Sequence, residues 1–276
     1  QLVLQVTELD VRLAKVMLQR NWRGSVPVIA ENMELQQGVH PLIAERLLEN
    51  GGAFVPIDLH PGTGANLLSG ANMGGKSVAL SLLFICQVLT QYGLPVPATR
   101  FQTRLFTQVR MSASGEGDLG AGLSSFGREM TRLTQVWHEA KGAGPVLLCF
   151  DEPARTTNPI EGEAIVMALL QSISRLDATS VLFVSTHFSA PTTEAEAKKF
   201  QVKGLKAELP EWSRAQARGE DLENRLKYLE QAMDYRVEEA SAPTSFTEAV
   251  TIAQWLGVPD EIMTEARGFL QRRGRR

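Results

Sequence analysis

Residues Leu67–Leu80 read LLSGANMGGKSVAL, an apolar run, a turn of small residues with glycine at 70, 74 and 75, then Lys76, Ser77 and an apolar pattern at helical spacing. No other stretch limits the chain's architecture as much. A turn without Cβ atoms leaves its backbone N–H groups uncovered, and N–H groups that converge suit a phosphate chain better than they suit a side-chain ligand. Gly70, Gly75, Lys76 and Ser77 satisfy the spacing G-x-x-x-x-G-K-[ST], which has meaning only with a strand before it and a helix after it. Both flanks meet that condition. "AFVPIDLH" and "ANLLSG" read as short strands around the turn "PGTG", and Ser77 to Tyr92 reads as a helix ended by Gly93.

The rest of the chain repeats strand and helix. "LPVPA" is extended, Arg104 to Arg110 reads as a strand, and "SASGEGDLGAGL" as a flexible loop. A helix over Ser125 to Ala140 carries Phe126, Met130, Leu133 and Trp137 on one stripe. "PVLLCFDEP" and "SVLFVSTHF" are unbroken apolar runs, the mark of strands covered on both faces of a parallel sheet, and a helix over Ile160 to Arg175 lies between them. This alternation predicts an α/β fold with a central, largely parallel sheet flanked by helices. "FQVKGL" and "MDYRVEE" read as two further strands, separated by the charge-dense segment Lys206 to Ala232, which is either a solvated helical excursion or an arm for docking a partner. Residues 2 to 18 place Leu2, Val6, Leu9, Leu13, Val16 and Met17 at three- and four-residue steps, predicting an amphipathic helix docked on the body. Two short helices about "GVPDE" close the chain.

The strand tips carry the candidate chemistry. A phosphate cradle of this kind has Lys76 reaching the β- and γ-phosphates and the Ser77 hydroxyl on Mg²⁺. Asp151 and Glu152 follow a buried strand; alone they would cap the next helix, but with the glycine loop they supply a metal carboxylate and a group that polarises an attacking water. His187 ends the next strand, either as a structural side chain or facing the γ-phosphate. His40, His60 and His138 show no metal-ligand spacing, which argues against zinc.

Composition sets the outer limits. With 276 residues, 43% of them hydrophobic, the chain can bury a sizeable core, as one large domain plus an appendage. A net charge of -3 gives no bulk attraction to polyanions, so nucleic acid must meet a local patch or another chain. Cys86 and Cys149 sit in apolar runs as buried thiols and fit a reducing, cytoplasmic setting. No apolar run is long enough to span a membrane. The chain opens on Gln1 and is read as a fragment of a longer protein.

These motifs resemble the ATPase domain of the MutS family, relatives of the ABC ATPases. "GANMGGKS" is similar to that family's glycine loop with one alanine for proline, and "VPA" and "FTQV" sit where the family continues. "SSFGREM" resembles its signature segment, "DEPARTTNPIEG" its acidic strand tip and dimer-facing loop, and "STHF" its histidine switch. "ELDVRLA" and "AVTIAQWLGVPDEIMTEA" resemble the helix leading into the domain and the closing helix-turn-helix. The resemblance implies a helical segment over 1–20, the ATPase domain over 21–238 with a charged helical insert at about 206–232, and a helical dimerisation element over 239–276.

It also implies roles. Gly70, Asn72, Met73, Gly74, Gly75, Lys76 and Ser77 would wrap the phosphates of ATP, Asp151 would hold Mg²⁺, Glu152 would activate water and His187 would sense the γ-phosphate. Phe54 and Tyr235 fall where the family sandwiches adenine, with core packing as the competing explanation. Ser124 and Ser125 would meet ATP on the opposite subunit of a homodimer, or of a heterodimer with a related chain; otherwise they are an N-cap. The chain departs from mismatch-repair members at "ARTTNP", where they read "GRGTS", and in its long insert. "DEPARTTNP" with "FQVKGL" and "MDYR" looks instead like a branch associated with cobalamin-dependent aminomutases. The expected function is therefore an ATPase that reactivates such an aminomutase. The alternatives are the ATPase domain of a DNA mismatch-repair protein whose DNA-reading parts lie outside this chain, and a nucleotide-gated scaffold with little turnover.

Overall fold

The computed structural model describes residues 1–70, 74–113, 124–188, 195–206, 222–240 and 248–273. Its centre is a six-stranded sheet in the order β10-β9-β4-β8-β7-β6. The strands are β4 (Gly64–Ser69), β6 (Gln108–Ala113), β7 (Val146–Asp151), β8 (Val181–Thr186), β9 (Lys198–Leu205) and β10 (Met233–Glu239). Five run parallel, and β10 pairs antiparallel with β9 at the edge.

Every residue of β7 and β8 is buried because both faces of the sheet are covered. Successive side chains point to opposite faces, so Leu147 and Cys149 join the cluster under helix α3 (Lys76–Gln91), whereas Leu148 and Phe150 join the one under helix α5 (Pro159–Ser172). Burying each such Leu or Phe contributes about 1.5–3 kcal/mol. Cys86 and Cys149 are free thiols inside the first cluster, and burial raises the pKa of both. Helix α4 (Ser125–Ala140) has the bounds its apolar stripe predicts.

A second sheet, not foreseen from the sequence as a unit, has the order β1-β5-β2-β3. It is built from β1 (Val28–Ile29), β2 (Glu34–Gly38), β3 (Ile57–Leu59) and β5 (Arg100–Thr103), with helix α2 (Pro41–Glu49) between β2 and β3. The strand expected over Arg104 to Arg110 is borne out only from Gln108, where β6 begins; residues 104–107 lie between β5 of one sheet and β6 of the other and belong to neither. Side chains of α3 explain the break. Gln91 accepts the Phe106 N–H at 3.1 Å and donates to the Phe106 carbonyl at 2.6 Å, while Gln87 donates to the Arg104 carbonyl at 3.1 Å. A helix has taken the backbone partners a strand would need.

Helix α1 (Leu2–Trp22) forms as predicted but does not dock. None of its residues is buried, and Leu2, Val6, Leu9, Leu13, Val16 and Met17 are exposed, because no described element covers that stripe. After the insert come α6 (Leu222–Ala232), β10, α7 (Glu248–Trp255) and α8 (Asp260–Arg273). Helices α7 and α8 pack on each other, with Ile252 and Met263 buried. Among the described residues, no helix is long and apolar enough to cross a membrane.

Candidate functional site

Parallel strands bring their carboxyl ends to one edge of the sheet, and β4, β8 and β7 are direct neighbours there, with Ser69 opposite Thr186 and Ser185 opposite Asp151. The segments that leave these three strands therefore share one crevice. After β4 comes the glycine turn, and α3 starts at Lys76, with Gly75 as N-cap at φ 89°. Lys76 is only 4% exposed; its ammonium donates to the Gly70 carbonyl at 2.9 Å and pairs with Glu152 Oε1 at 3.2 Å. A buried cation beside a helix N-terminus makes this the positive pole of the crevice. Asn72 and Met73 lie outside the described residues.

After β7 the backbone turns sharply: Glu152 and Ala154 both sit in the left-handed region, at φ 47° and 62°. Side chains hold this conformation. Ser185 Oγ donates to Asp151 Oδ1 at 2.5 Å and accepts the Glu152 N–H at 2.9 Å. From α4, Glu129 accepts the Ala154 N–H at 2.6 Å and the Thr156 hydroxyl at 3.2 Å. The turn presents Glu152 to Lys76 on one side, to Arg155 Nη1 at 3.4 Å, and to His187 Nδ1 at 3.8 Å. The His187 imidazole first, then Lys76, hold the Glu152 carboxyl down at about 2 although burial opposes them. His187 Nδ1 is itself buried, with no hydrogen-bond partner among the described residues.

A cavity of about 980 Å³ opens over this pole. Gly74, Gly75, Lys76, Ser77, Glu152 and Arg155 line its charged end. Ile43, Leu47, Phe54, Ile57, Met233 and Tyr235 line an apolar part of it, and Lys206, Lys227, Glu230 and Gln231 add a polar wall. Phe54 lines the cavity while packing on the core beneath α3. Tyr235 reaches the cavity through an irregularity in β10. The β9–β10 register shifts between Asp234 and Val237, and such a bulge re-aims a side chain. Its ring lies so close to Gly75 that a Cβ there would stand 3.2 Å from Tyr235 Cδ1.

The fit to a magnesium nucleotide rests on these features. A buried lysine and a helix N-terminus favour an anion, and the apolar residues beside them suit a nucleobase. The Ser77 hydroxyl and Asp151 carboxylate are the hard oxygen donors Mg²⁺ takes alongside water and phosphate. No cluster of three or more His, Cys, Asp or Glu suited to a metal occurs among the described residues.

Ser124 and Ser125 are not brought to this cavity. Both are exposed at the start of α4, and Ser124 accepts the Gly127 N–H at 3.1 Å as an N-cap. Sequence reasoning missed Ser185, Glu129 and Arg155, which position Glu152, and the cavity-lining Lys206 and Lys227. Ser185, Glu129 and Arg155 each lie in a string that the sequence singles out, "STHF", "SSFGREM" and "DEPARTT", but nothing in those strings marks them as the side chains that hold the turn.

Comparison with known proteins agrees with this geometry. Residues 66–273 match the family model described as MutS domain V. A DNA mismatch repair protein MutS from Bacillus pumilus is 28% identical over 270 residues, 96% of this chain and 29% of that protein. Endonuclease MutS2 of Lachnospira eligens is 31% identical over 189 residues, and that of Clostridium kluyveri 29% over 189, each match covering 67% of this chain and 23% of the relative. The chain thus spans less than a third of the length of these curated relatives. Because the family match runs from β4 to α8, across most of the elements that wall the cavity, the chain belongs to the MutS domain V family.

Proposed function

We propose that this chain is the ATP-binding and ATP-hydrolysing part of a DNA-acting protein of the MutS type. Its relatives, a DNA mismatch repair protein and an endonuclease, favour that alternative over the aminomutase reactivase, which no finding carries. The observation behind the proposal is the junction in one cavity of buried Lys76, the Glu152 turn and the apolar slot of Phe54 and Tyr235.

In this scheme the turn around Gly70, Asn72, Met73, Gly74 and Gly75, with Lys76 and Ser77, holds the phosphates, and the base lies between Phe54 and Tyr235. Ser77 and Asp151 would hold Mg²⁺, which when bound would supply positive charge to the phosphate oxygens. A carboxyl held at about 2 is a weak base, and Lys76 is one reason it is held there. When Lys76 turns to the phosphates, one of the two groups that hold Glu152 down is withdrawn, which favours its accepting a proton from water, with His187 beside it as the group that registers the terminal phosphate. Binding and readiness for hydrolysis are thereby linked through one ion pair.

The exposed N-terminus of α4, with Ser124 and Ser125, is the surface that would complete the site of a second chain, and residues 239–276 would serve as the dimerisation element. The nucleotide body would be 21–238, led into by residues 1–20. DNA would be read by parts beyond this chain or by a local patch. Steady-state ATP hydrolysis tests the core of this scheme. Lys76→Ala is expected to abolish both binding and turnover, and Glu152→Gln to keep ATP binding while slowing turnover at least about 100-fold. Unchanged turnover in either variant would refute the site.

A further inference from the structure

The segment Lys206 to Ala232 is dense in charge, and its described end is built into the wall of the cavity over Lys76. Helix α6 buries Leu229 and Ala232, and Lys227, Glu230 and Gln231 line the same space as Gly75, Lys76 and Ser77. The other end of the insert is fastened to it. Lys206 Nζ donates to the Gln231 carbonyl at 2.7 Å, and its N–H to the Ala232 carbonyl at 2.9 Å. Toward its N-terminus, α6 is fixed again: Arg225 lies against Gly257 in the turn between α7 and α8, filling the place a Cβ would take. A helix held at both ends keeps Lys227 and Glu230, both exposed, on the cavity side. Tyr235 registers one of them, since burial and the Glu230 carboxylate raise its hydroxyl above the ordinary range.

Resting on the nucleotide reading of this cavity, we infer that α6 is a ligand-facing wall whose Lys227 and Glu230 set the affinity for nucleotide in opposite directions. Lys227 attracts the phosphate chain and Glu230 opposes it, so the insert tunes how tightly ATP is held. Charges facing a cavity act over several ångströms and weaken with salt. Uncharged ligands do not feel them. The contribution is therefore electrostatic and separable from any structural role of the helix.

Equilibrium binding of a non-hydrolysable ATP analogue to the full chain, with adenosine as the uncharged probe, tests this. At low salt Lys227→Gln is expected to weaken analogue binding about three- to tenfold and Glu230→Gln to tighten it by a similar factor, with both shifts shrinking at high salt and absent for adenosine. Lys227→Arg keeps the charge and should bind as the unaltered chain does, which separates charge from folding. If the unaltered chain binds the analogue but the two glutamine variants change nothing, or shift affinity in the same direction, the role of α6 is refuted and the nucleotide site stands. If the unaltered chain binds no analogue, the nucleotide reading itself falls and this inference with it.

Discussion

Ser185 is the side chain on which the Glu152 turn depends most. It is fully buried, and its one hydroxyl both donates to Asp151 and accepts the N–H of Glu152, a residue in the left-handed region. Ser185→Ala removes a hydrogen bond to a carboxylate, worth about 1.5–3 kcal/mol, and leaves a part-buried N–H without its acceptor, at a cost of about 1–3 kcal/mol. The two share one oxygen, so they do not simply add. A net loss of about 2–4 kcal/mol is expected. With a urea slope near 3 kcal/mol/M, the unfolding midpoint should fall by about 1 M. Ser185→Thr keeps the oxygen and should recover most of that loss. In the ATPase scheme turnover should fall with Ser185→Ala while ATP binding through Lys76 persists, since the hydroxyl positions Glu152 and does not touch Lys76. A Ser185→Ala protein within about 0.5 kcal/mol of the unaltered one, with equal turnover, would show that the turn is held by something else.

Two further tests address the same crevice. The folded Glu152 carboxyl titrates near 2, below its ordinary 4.5, so its contribution to stability is complete above the unfolded value and is lost as pH falls from about 4.5 through about 2. Urea midpoints measured down that range should decline less steeply for Glu152→Gln, and parallel curves would contradict the assignment. Gly162, in the first turn of α5, has no room for a side chain: a Cβ would stand 2.7 Å from Phe188 Cζ and 3.0 Å from the Ala154 carbonyl. Gly162→Ala should cost about 1–3 kcal/mol in thermal or urea unfolding and lower turnover by displacing His187 and the Glu152 turn, whereas a neutral result would mean that α5 can retreat at no cost.

The elements legible in the sequence are those whose signal is local. The glycine turn with its flanking β4 and α3, the stripe of α4 and the unbroken apolar runs of β7 and β8 each announce themselves within about a dozen residues. The second sheet does not. Strand β3 falls within "AFVPIDLH", which reads as a strand, but nothing there names its partner, and β1 is two residues long and pairs Val28 and Ile29 with Gln102 and Thr103, far along the chain. The strand expected over Arg104 to Arg110 begins only at Gln108 for a related reason. Residues 104–107 have the right character, but glutamines on α3 bond to their backbone, and nothing near position 104 encodes that.

The same division runs through the candidate site. Lys76, Asp151, Glu152 and His187 could be picked out because parallel strands deliver their successors to a common edge, so a residue's type and its place after a strand suffice to group it. Ser185 and Glu129 escaped because each works on residues far from it in sequence, through backbone groups whose need is visible only once Glu152 and Ala154 are seen at positive φ. Tyr235 marks the boundary between the two cases. Resemblance places it near the base, but alternation along β10 cannot say which face it presents; an extra residue in the strand reverses the parity, and only the register with β9 shows where that residue sits. Chemistry at strand ends can thus be read from the chain, whereas the side chains that hold that chemistry in place depend on pairings the chain does not spell out.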